Sequence, residues 1–499
     1  MARHIANASG RRPLQPALRE ALARQNPERD DGALASPNLG VVVTGQQVGL
    51  FLGPAYSIYK AITALALADR LTQQGQPTVA VFWLQSEDHD HDEVAAATVL
   101  DEADERQTVR ASATGEPRAA MAQRALGDDV TEALDALDRH LGGQPHRDAT
   151  LAMLRRHYRP GAGWVEAFGD AMRELLGPHG LWVLDPRRDA LGAASAPVIR
   201  RAIVEHEAIE AATLRGADAV DEVGVAPRPG CALCFFHPDG PRGPRYRPTR
   251  EGDGWTWPGA SAPVTTADLV ARLEEDALAF STSSLLRLML QESWLPTVAH
   301  VVGPGEARYV RQAPPLHAHF GLTSPAVVLR GRFVITERTD RRKLEALGVE
   351  APDLAAPDPL LHRLAEGDPG LDGEALQERL RDAFRGALDP LVDELIALDP
   401  DLERAVSRTL RHVDKGLRGF GRRVDRARAR RDDVRTARVQ ALASRLFPGG
   451  SPQERVLTFP HFAARYSWSV WVDAVREAVE THLDALERGA EPQLRTVAL

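Results

Sequence analysis

Two short, continuous apolar runs at residues 41–44 and 79–84 constrain the fold of this chain most. Both are rich in β-branched or aromatic residues, as is typical of strands that are buried on both faces of a parallel sheet. The segment between them suits a helix, because Gly53-Pro54 can begin one with proline at its first position. Strand, helix and strand in this order predict a βαβ unit. The apolar positions that recur at helical spacing are Ile58, Ala61, Ile62 and Leu65.

Two further apolar runs, at residues 181–184 and 297–302, add strands to the same predicted sheet. Asp185-Pro186 follows the first run and Gly303-Pro304-Gly305 follows the second, so each run ends at a turn. Parallel strands with loops at their carboxyl ends indicate an α/β fold with a Rossmann-like core. We expect this core to span residues 1–370, with polar insertions near residues 105–144 and 216–260.

From about residue 374 the pattern changes to apolar residues that step by three and four positions, which predicts a coiled coil. Pro390 and Pro400 interrupt the first arm, and Pro400 marks the reversal into an antiparallel second helix. The predicted helical hairpin covers residues 371–447, and residues 448–499 return to pack on the core. The apolar positions are Leu376, Leu380, Phe384, Leu388, Leu402, Val406, Leu410, Val413, Leu417, Phe420, Val424 and Ala427.

Composition excludes several classes of protein. The chain has 499 residues, 43% of them hydrophobic and 26% charged, which fits a folded globular protein. A net charge of -9 argues against nucleic acid as the main partner, since phosphate binding needs a basic face. No window approaches the roughly 18 apolar residues of a membrane span, so a cytoplasmic location is expected. The two cysteines, Cys231 and Cys234, lack the second pair that a zinc site needs.

The first candidate site segment runs from the end of the first strand into the following helix. Ligands bind at such strand ends in open α/β sheets, and glycines allow the backbone to approach them closely. Tyr56 and Lys60 are four residues apart, so they share a helix face and can reach one anionic ligand. An ordinary tight turn with glutamines facing water would have the same pattern. The predicted residues are Thr44, Gly45, Gln46, Gln47, Gly53, Tyr56 and Lys60.

The second candidate segment is a run of seven ionisable residues, 87–93, directly after the strand that ends at Leu84. In an extended chain, alternation would place His89 and His91 on one side and the aspartates on the other. His89 oriented by Asp90 could then act as a general base for an attacking amine, with Glu87 and Asp88 beside them. A solvated acidic loop is one alternative. A hydrolytic metal held by His-x-His is another, although the closing ligand pair of that pattern is missing.

The third candidate segment is the glycine loop after the strand at residues 297–302. Glu306 and Tyr309 are one helical turn apart if a helix begins there, so both could face the same pocket. Gly303 and Gly305 would let a ligand approach the backbone.

Together these segments resemble the bacillithiol biosynthesis cysteine-adding enzymes. The resemblance rests on residues 43–47 and 53–60, on 81–83 with 87–90, on 280–282 and 290–292, on 303–306 and on 452–455. It implies a Rossmann-type core related to class I nucleotidyltransferases, connecting-peptide insertions and a coiled-coil domain that supports a homodimer. It also implies the last step of bacillithiol synthesis, in which cysteine is joined to the amino group of glucosamine-malate. Ser283 and Gln291 join the predicted substrate-binding residues on this basis.

The reaction that this resemblance implies sets the expected cofactors. An amide forms from a free carboxylate only if an oxygen is removed, so we expect activation by ATP, with ATP or ADP as the bound nucleotide and no metal in the predicted site. Two other functions stay open from the sequence. One is a non-catalytic nucleotide-binding or scaffold protein, and the other is a metal-dependent hydrolase that uses residues 87–93.

Overall fold

The computed structural model describes residues 5, 11–188, 191–365, 372–400, 402–429 and 433–499. The chain divides into two compact units. The first comprises Met1–Val334 and Glu454–Leu499, and the second comprises Ile335–Gln453.

The first unit is built on a five-stranded parallel sheet with the strand order β11-β10-β1-β2-β5. The predicted α/β class with a Rossmann-like core is therefore confirmed. The chain leaves the central strand β1 first toward β2 and β5, and later toward β10 and β11, so the direction of winding reverses between β1 and β10. The strands are β1 Gly40–Gln46, β2 Thr78–Leu84, β3 Ala96–Leu100, β4 Arg106–Arg110, β5 Leu181–Leu184, β6 Cys234–Phe236, β7 Thr249–Glu251, β8 Gly254–Thr256, β9 Phe280–Thr282, β10 Thr297–Val302, β11 Ala326–Leu329, β12 Arg332–Thr336 and β13 Leu494–Ala498.

Helices cover the sheet and form most of the second unit. The early helices are α1 Pro16–Gln25, α2 Tyr56–Gln73, α3 His91–Val94, α4 Val130–Leu141, α5 Arg147–His157, α6 Trp164–Leu176, α7 Leu191–Val204, α8 His206–Asp218, α9 Thr266–Glu275, α10 Ser284–Trp294, α11 Pro304–Val310 and α12 Pro314–Phe320. The later ones are α13 Arg338–Leu347, α14 Pro357–Ala365, α15 Gly373–Leu398, α16 Leu402–Ala429, α17 Asp433–Leu446, α18 Gln453–Val456, α19 Phe459–Tyr466 and α20 Trp468–Glu487. Among the residues described, no helix is long and apolar enough to cross a membrane.

The β1–α2–β2 unit forms as predicted, but its helix begins later than expected. Pro54 forms an isolated β-bridge with Thr458, and the helix starts at Tyr56, so the prediction of proline at the first helical position is wrong. The loop before it is strained, because the buried Phe51 and Leu52 both have positive φ, at 51° and 69°. The strained turn is thus held by surrounding packing rather than by helix capping.

Both predicted insertions contain ordered elements. Residues 105–144 include β4, which pairs with β3 in an antiparallel hairpin, and helix α4. Residues 216–260 include β6, which pairs with β9, and the hairpin of β7 and β8. The polar composition of these segments therefore reflects small sheets with one solvated face.

The second unit contains a helical hairpin of α15 and α16, and the separate helix α17 occupies the last part of the range predicted for the hairpin. α15 ends at Leu398, α16 begins at Leu402, and the two helices pack against each other, with Pro400, the expected position of the turn, between them. The predicted interruption at Pro390 is wrong, because α15 runs through this residue without a break. A proline inside a helix removes one backbone hydrogen bond, but Pro390 is exposed and packing does not depend on it. Residue 371, the predicted start of the hairpin, lies outside the described residues.

The C-terminal helices α19 and α20 belong to the first unit. α20 packs on α2, and Trp471 stacks on Phe462 with ring centroids 4.8 Å apart. Arg330 forms a buried bidentate ion pair with Glu454, with both N–O distances at 2.8 Å.

Candidate functional site

The candidate site lies where β1 and β10 end side by side, at the switch point of the sheet. The Thr44 hydroxyl donates to the Val301 carbonyl oxygen at 2.8 Å and ties the two strands together. A Cβ at Gly45 would lie 2.7 Å from the carbonyl oxygen of Trp83, so only glycine lets β1 and β2 approach this closely. Gln46 and Gln47 therefore leave β1 at a fixed position beside the Gly303 loop.

A buried ion cluster forms the base of this crevice. Nζ of Lys60 lies 2.6 Å from Oε2 of Glu306 and also donates to the Gly45 carbonyl oxygen and, at 3.2 Å, to Oε1 of Gln46. The Lys60 side chain is only 2% exposed. An ammonium group has three hydrogens to donate, and all three have partners here. Lys60 is therefore placed to hold other groups rather than to contact a ligand.

Arg287 is a second cation in the same cluster. Its Nη2 lies 3.4 Å from Oε1 of Glu306 and donates to the Tyr309 hydroxyl at 2.7 Å. Its Nη1 donates to Oε1 of Gln291 at 2.7 Å, and Tyr309 donates to Glu306 at 3.1 Å. Two buried cations thus share one carboxylate. We name this set, Lys60, Arg287, Gln291, Glu306 and Tyr309, the switch-point cluster.

Burial and charge act in opposite directions on the pKa values of this cluster. Burial lowers the pKa of Lys60, and Glu306 opposes that effect without cancelling it. Burial alone would raise the pKa of Glu306, but the charges of Lys60 and Arg287 outweigh it and lower this pKa. Glu306 is therefore ionised at neutral pH, and the cluster carries more positive than negative charge.

Tyr56 and Gln46 close one side of the crevice. Nε2 of Gln46 lies 3.4 Å from the Tyr56 hydroxyl, which joins Tyr56 to Lys60 through one glutamine. The Arg330 guanidinium lies over the Tyr56 ring at 5.4 Å. The predicted shared face of Tyr56 and Lys60 therefore exists, and Gln46 lies between the two side chains.

The acidic loop after β2 lies beside this crevice and is bound to it through Gln47. Nε2 of Gln47 donates to Asp88 at 2.9 Å and to Glu93 at 2.6 Å. Nδ1 of His89 lies 3.5 Å from Oδ1 of Asp88, and the His89 side chain is 34% exposed. Burial would raise the pKa of Asp88, but its contact with His89, the charge of Arg245 and the Gln47 bond lower it. Asp88 is thus a stable anion beside a solvent-accessible imidazole.

The conformation of this loop differs from the extended strand that was expected. Residues 91–94 form the short helix α3, so the predicted alternation of histidines and aspartates is wrong. The Asp90 carboxylate accepts a hydrogen bond from the Glu93 backbone at 3.3 Å and caps this helix. The carboxylate next to His89 is that of Asp88, and not that of Asp90 as predicted.

Glu87 is held inside the protein. It accepts hydrogen bonds from the Thr282 backbone at 3.2 Å and from the Thr282 hydroxyl, and Arg187 lies 3.8 Å away. Arg245 donates to the Glu87 carbonyl oxygen. Glu87, predicted as a catalytic residue, therefore anchors the loop to β9 and to the residues around it.

The other predicted substrate-binding residues lie at helix starts and in the turn before α2. Ser283 caps α10 by accepting from the Leu286 backbone at 3.4 Å, and Gly303 precedes α11. Gly305 faces open space, with nothing within 4 Å of an added Cβ. Gly53 has a φ of 64° and lies in the strained turn before α2. Ser283 thus has a structural role in this fold, whereas Gly305 lines an accessible surface.

Sequence reasoning missed the arginines of the site. Arg287 lies one helical turn before Gln291 on α10, so its spacing to a predicted residue could have indicated it. Arg187 and Arg245 are distant in sequence from the loop that they hold, and no local pattern indicates them.

The residues of the acidic loop do not form a metal-ligand set. Glu93 is bonded to Gln47, and the ring of His91 packs edge-on against Trp164 with centroids 5.0 Å apart. In the part of the chain that the structure describes, no three His, Cys, Asp or Glu side chains are grouped to hold a metal ion. Cys231 and Cys234 are both free thiols, and burial raises the pKa of Cys234 to about 12.

Comparison with known proteins covers nearly the whole chain. Residues 7–331 match the family model described as "Bacillithiol biosynthesis BshC, N-terminal Rossmann-like domain", and residues 333–478 match "Bacillithiol biosynthesis BshC, C-terminal coiled-coil domain". Curated relatives named "Putative cysteine ligase BshC" include one from Salinibacter ruber, 30% identical over 97% of this chain and 90% of its own. Another, from Thermus thermophilus, is 32% identical over 91% of both chains. A third, from Heliobacterium modesticaldum, is 30% identical over 91% of this chain and 83% of its own.

Proposed function

The chain belongs to the bacillithiol biosynthesis BshC family, and from this premise we propose that it is a ligase that joins cysteine to glucosamine-malate. The reaction is the last step of bacillithiol synthesis. It forms an amide between the carboxylate of cysteine and the amino group of the sugar. The names of the relatives support the cysteine ligase activity.

The observation that carries this proposal is the excess positive charge of the switch-point cluster. Within the switch-point cluster, Lys60 and Arg287 are both buried and Glu306 is the one carboxylate. The buried Glu292 also acts on Arg287, but it is itself paired with His300 at 2.5 Å. A ligand with a carboxylate or phosphate group would supply the second negative charge. Both substrates carry carboxylates and a nucleotide carries phosphates, so the cluster favours all three over neutral ligands.

His89 is the proposed general base. The amine of the acceptor must lose a proton as the amide bond forms, and a partly exposed imidazole beside the anionic Asp88 can accept it. Gln47 holds Asp88 in place, and Gln46 bonds both Lys60 and Tyr56. Lys60 therefore acts in this proposal as a positioning residue for Gln46 and Glu306.

The proposed reaction also needs a nucleotide. ATP, when bound, supplies the leaving group that carries away one oxygen of the cysteine carboxylate. Gly303 and Gly305 fit such a ligand, because Gly305 faces open space and lies next to the charged cluster. The residues of this chain orient the two substrates and accept the proton.

The proposal includes a homodimer that acts in the cytoplasm. The helical hairpin of the second unit exposes large apolar side chains, among them Leu391, Leu398 and Phe420, which are 50%, 80% and 46% exposed. Exposed apolar side chains on a long helical hairpin are typical of a surface that packs against another chain. Sedimentation analysis of the purified protein tests this part, and a monomer at micromolar concentration would contradict it.

Mass spectrometry tests the activity directly. The purified chain is incubated with cysteine, glucosamine-malate and ATP, and each component is omitted in turn. The proposal expects a product that contains both cysteine and the acceptor and that disappears when any component is absent. Nucleotide binding without any such product would refute the ligase proposal and favour the binding-protein alternative.

A further inference from the structure

Two adjoining cavities lie at the far edge of the central sheet, beyond β5 and away from the β1–β10 crevice. The outer cavity has a volume of about 870 Å³ and lies between the end of α1, the ends of α5 and α6, and the segment after β5. The inner cavity has a volume of about 220 Å³ and lies at the carboxyl ends of β2 and β5. The two share Gln25, Arg173 and Arg188, so they form two lobes of one space.

The wall between this space and the sheet is rigid. The Gln25 amide exchanges two hydrogen bonds with the backbone of Asp185, at 3.1 and 2.7 Å. The Asn26 amide does the same with Val183, at 2.9 Å in both directions. Because side-chain amides complete the edge strand, the end of α1 cannot move without breaking these bonds.

Arginines from four elements line the outer lobe. They are Arg24, Arg29, Arg156, Arg173 and Arg188, and the carboxylates among them are Glu28, Asp170 and Glu174. Two of these carboxylates already have partners, since Glu174 bonds Arg156 and His157, and Asp170 bonds Arg173. The outer lobe therefore contains more positive than negative side chains.

The inner lobe contains a buried guanidinium with an unused donor. The Arg187 side chain is 3% exposed, and its two terminal nitrogens donate to the carbonyl oxygens of Phe280 and Leu278. Its Nε has no hydrogen-bond partner among the described residues. A buried donor without an acceptor is costly, so an acceptor atom that reaches Nε would stabilise this side chain.

Like charges also lie close together in the inner lobe. Burial and the nearby charge of Arg188 lower the pKa of Arg173 to about 10. Opposite them, Asp185 accepts from the Ser86 hydroxyl at 2.5 Å and from the Arg187 backbone at 3.0 Å. Three arginines thus face two carboxylates, Asp185 and Glu166. Asp185 is occupied by other bonds, and Glu166 lies 3.6 Å from Arg188, so one arginine charge in this lobe has no carboxylate of its own there.

We propose that this two-lobed space is an accessory site for a small molecule that bears a phosphate group. The phosphate occupies the inner lobe, where its oxygens accept from Arg187 and Arg188 and its charge offsets the repulsion between Arg173 and Arg188. The rest of the molecule occupies the outer lobe, whose volume is in the range of small-molecule sites. A phosphate is favoured over a carboxylate because its three acceptor oxygens can face guanidinium groups that come from different directions.

The accessory site contacts the loop of the candidate active site. Asp185 bonds Ser86, which precedes Glu87, and Arg187 lies 3.8 Å from Glu87. A ligand in the inner lobe therefore touches residues that hold the acidic loop. Occupancy would stabilise that loop in the conformation described here.

Calorimetric titration with inorganic phosphate, and separately with pyrophosphate, tests the site in the full-length chain. Ionic strength is held constant with chloride, and cysteine and nucleotide are left out, so the result does not depend on ligase activity. The test variants are Arg188→Gln and Arg156→Gln, since both side chains are exposed and their loss should not impair folding. Arg155→Gln is the matched control, because Arg155 lies on the same helix, bonds Asp135 and does not line the space.

The site predicts saturable binding to the wild-type chain that is equal in Arg155→Gln and at least tenfold weaker in Arg188→Gln. Pyrophosphate should bind more tightly than phosphate and should lose affinity in Arg156→Gln, because its second group reaches the outer lobe. The proposal fails if phosphate shows no saturable binding. It also fails if Arg188→Gln binds as the wild type does, since binding would then occur elsewhere, for example at the switch-point cluster.

Discussion

Replacement of Glu306 by glutamine should destabilise the first unit more than replacement of Lys60 by methionine. At an effective dielectric constant of about 20, the Lys60–Glu306 pair at 2.6 Å has an attraction of about 6 kcal/mol, and the Arg287–Glu306 pair at 3.4 Å about 5 kcal/mol. Glu306→Gln removes both attractions and leaves two buried cations, so we expect a net loss of about 3–5 kcal/mol. Lys60→Met leaves Glu306 paired with Arg287 and removes the cost of burying an ammonium, so we expect a loss of about 1–2 kcal/mol.

The loss in Glu306→Gln should also depend on pH. Burial already lowers the pKa of Lys60 below its value in the unfolded chain, and without Glu306 this pKa falls further. The native state then binds fewer protons than the unfolded state, so the stability of the variant rises with pH up to about 10.5. The difference from the wild type should therefore be largest near pH 7 and should shrink toward pH 9.5.

Urea unfolding followed by tryptophan fluorescence measures this effect, because all eight tryptophans lie in the first unit. Glu132→Gln, at an exposed position on α4, is the control for loss of a glutamate and should change the free energy of unfolding by less than about 0.5 kcal/mol. A Glu306→Gln loss no larger than that of Lys60→Met would refute the charge argument. So would a loss that stays constant from pH 7 to 9.5.

Three further predictions concern the site and its surroundings. His89→Gln should lower kcat/KM by about 10² to 10⁴. Asp90→Asn should change kcat/KM less than about threefold, because Asp90 only caps α3. Gly45→Ala should destabilise the fold by about 1–3 kcal/mol, because the added Cβ would meet the Trp83 carbonyl oxygen. Gly305→Ala should fold normally and raise KM, because an added Cβ there meets open space. Equal melting temperatures for these two variants would contradict the prediction. Burial lowers the pKa of His237 to about 3, so the free energy of unfolding should fall as pH decreases from about 6.5 toward 3. In His237→Gln, melting curves across this range should show a weaker pH dependence, by the equivalent of about one proton taken up on unfolding.

The sheet was predictable because its strands are marked locally. Continuous apolar runs and the glycine loops that follow them locate β1, β2, β5 and β10, and parallel pairing then places the loops at one edge. The start of α2 was not predictable from Gly53-Pro54, because the bridge from Pro54 to Thr458 depends on a segment about four hundred residues away. The interruption predicted at Pro390 does not occur, because Pro390 is exposed and a solvent-exposed helix face tolerates a proline that a buried face would not.

Some residues of the candidate site could be predicted from local sequence, whereas their pairing depends on residues far apart in the chain. Gln46, Lys60 and Glu306 could be singled out because each lies in a strand-end segment, but the pairing of Lys60 with Glu306 joins residues 246 positions apart. The partner of His89 was misassigned to Asp90, because an extended segment was assumed and the chain instead turns into α3. Arg187 and Arg245 hold the acidic loop from outside any motif, so only the fold identifies them.

The proposed function gives the two halves of the candidate site different tasks, and this difference bears on how activity should respond to mutation. The switch-point cluster is buried and its charged groups are bonded to one another, so a change there should alter stability and substrate binding together. His89 is partly exposed, and its contact with Asp88 is longer than a hydrogen bond. A change at His89 should therefore lower turnover while leaving the melting temperature intact. Variants that separate stability from turnover in this way would place proton transfer on the acidic loop and charge neutralisation on the cluster.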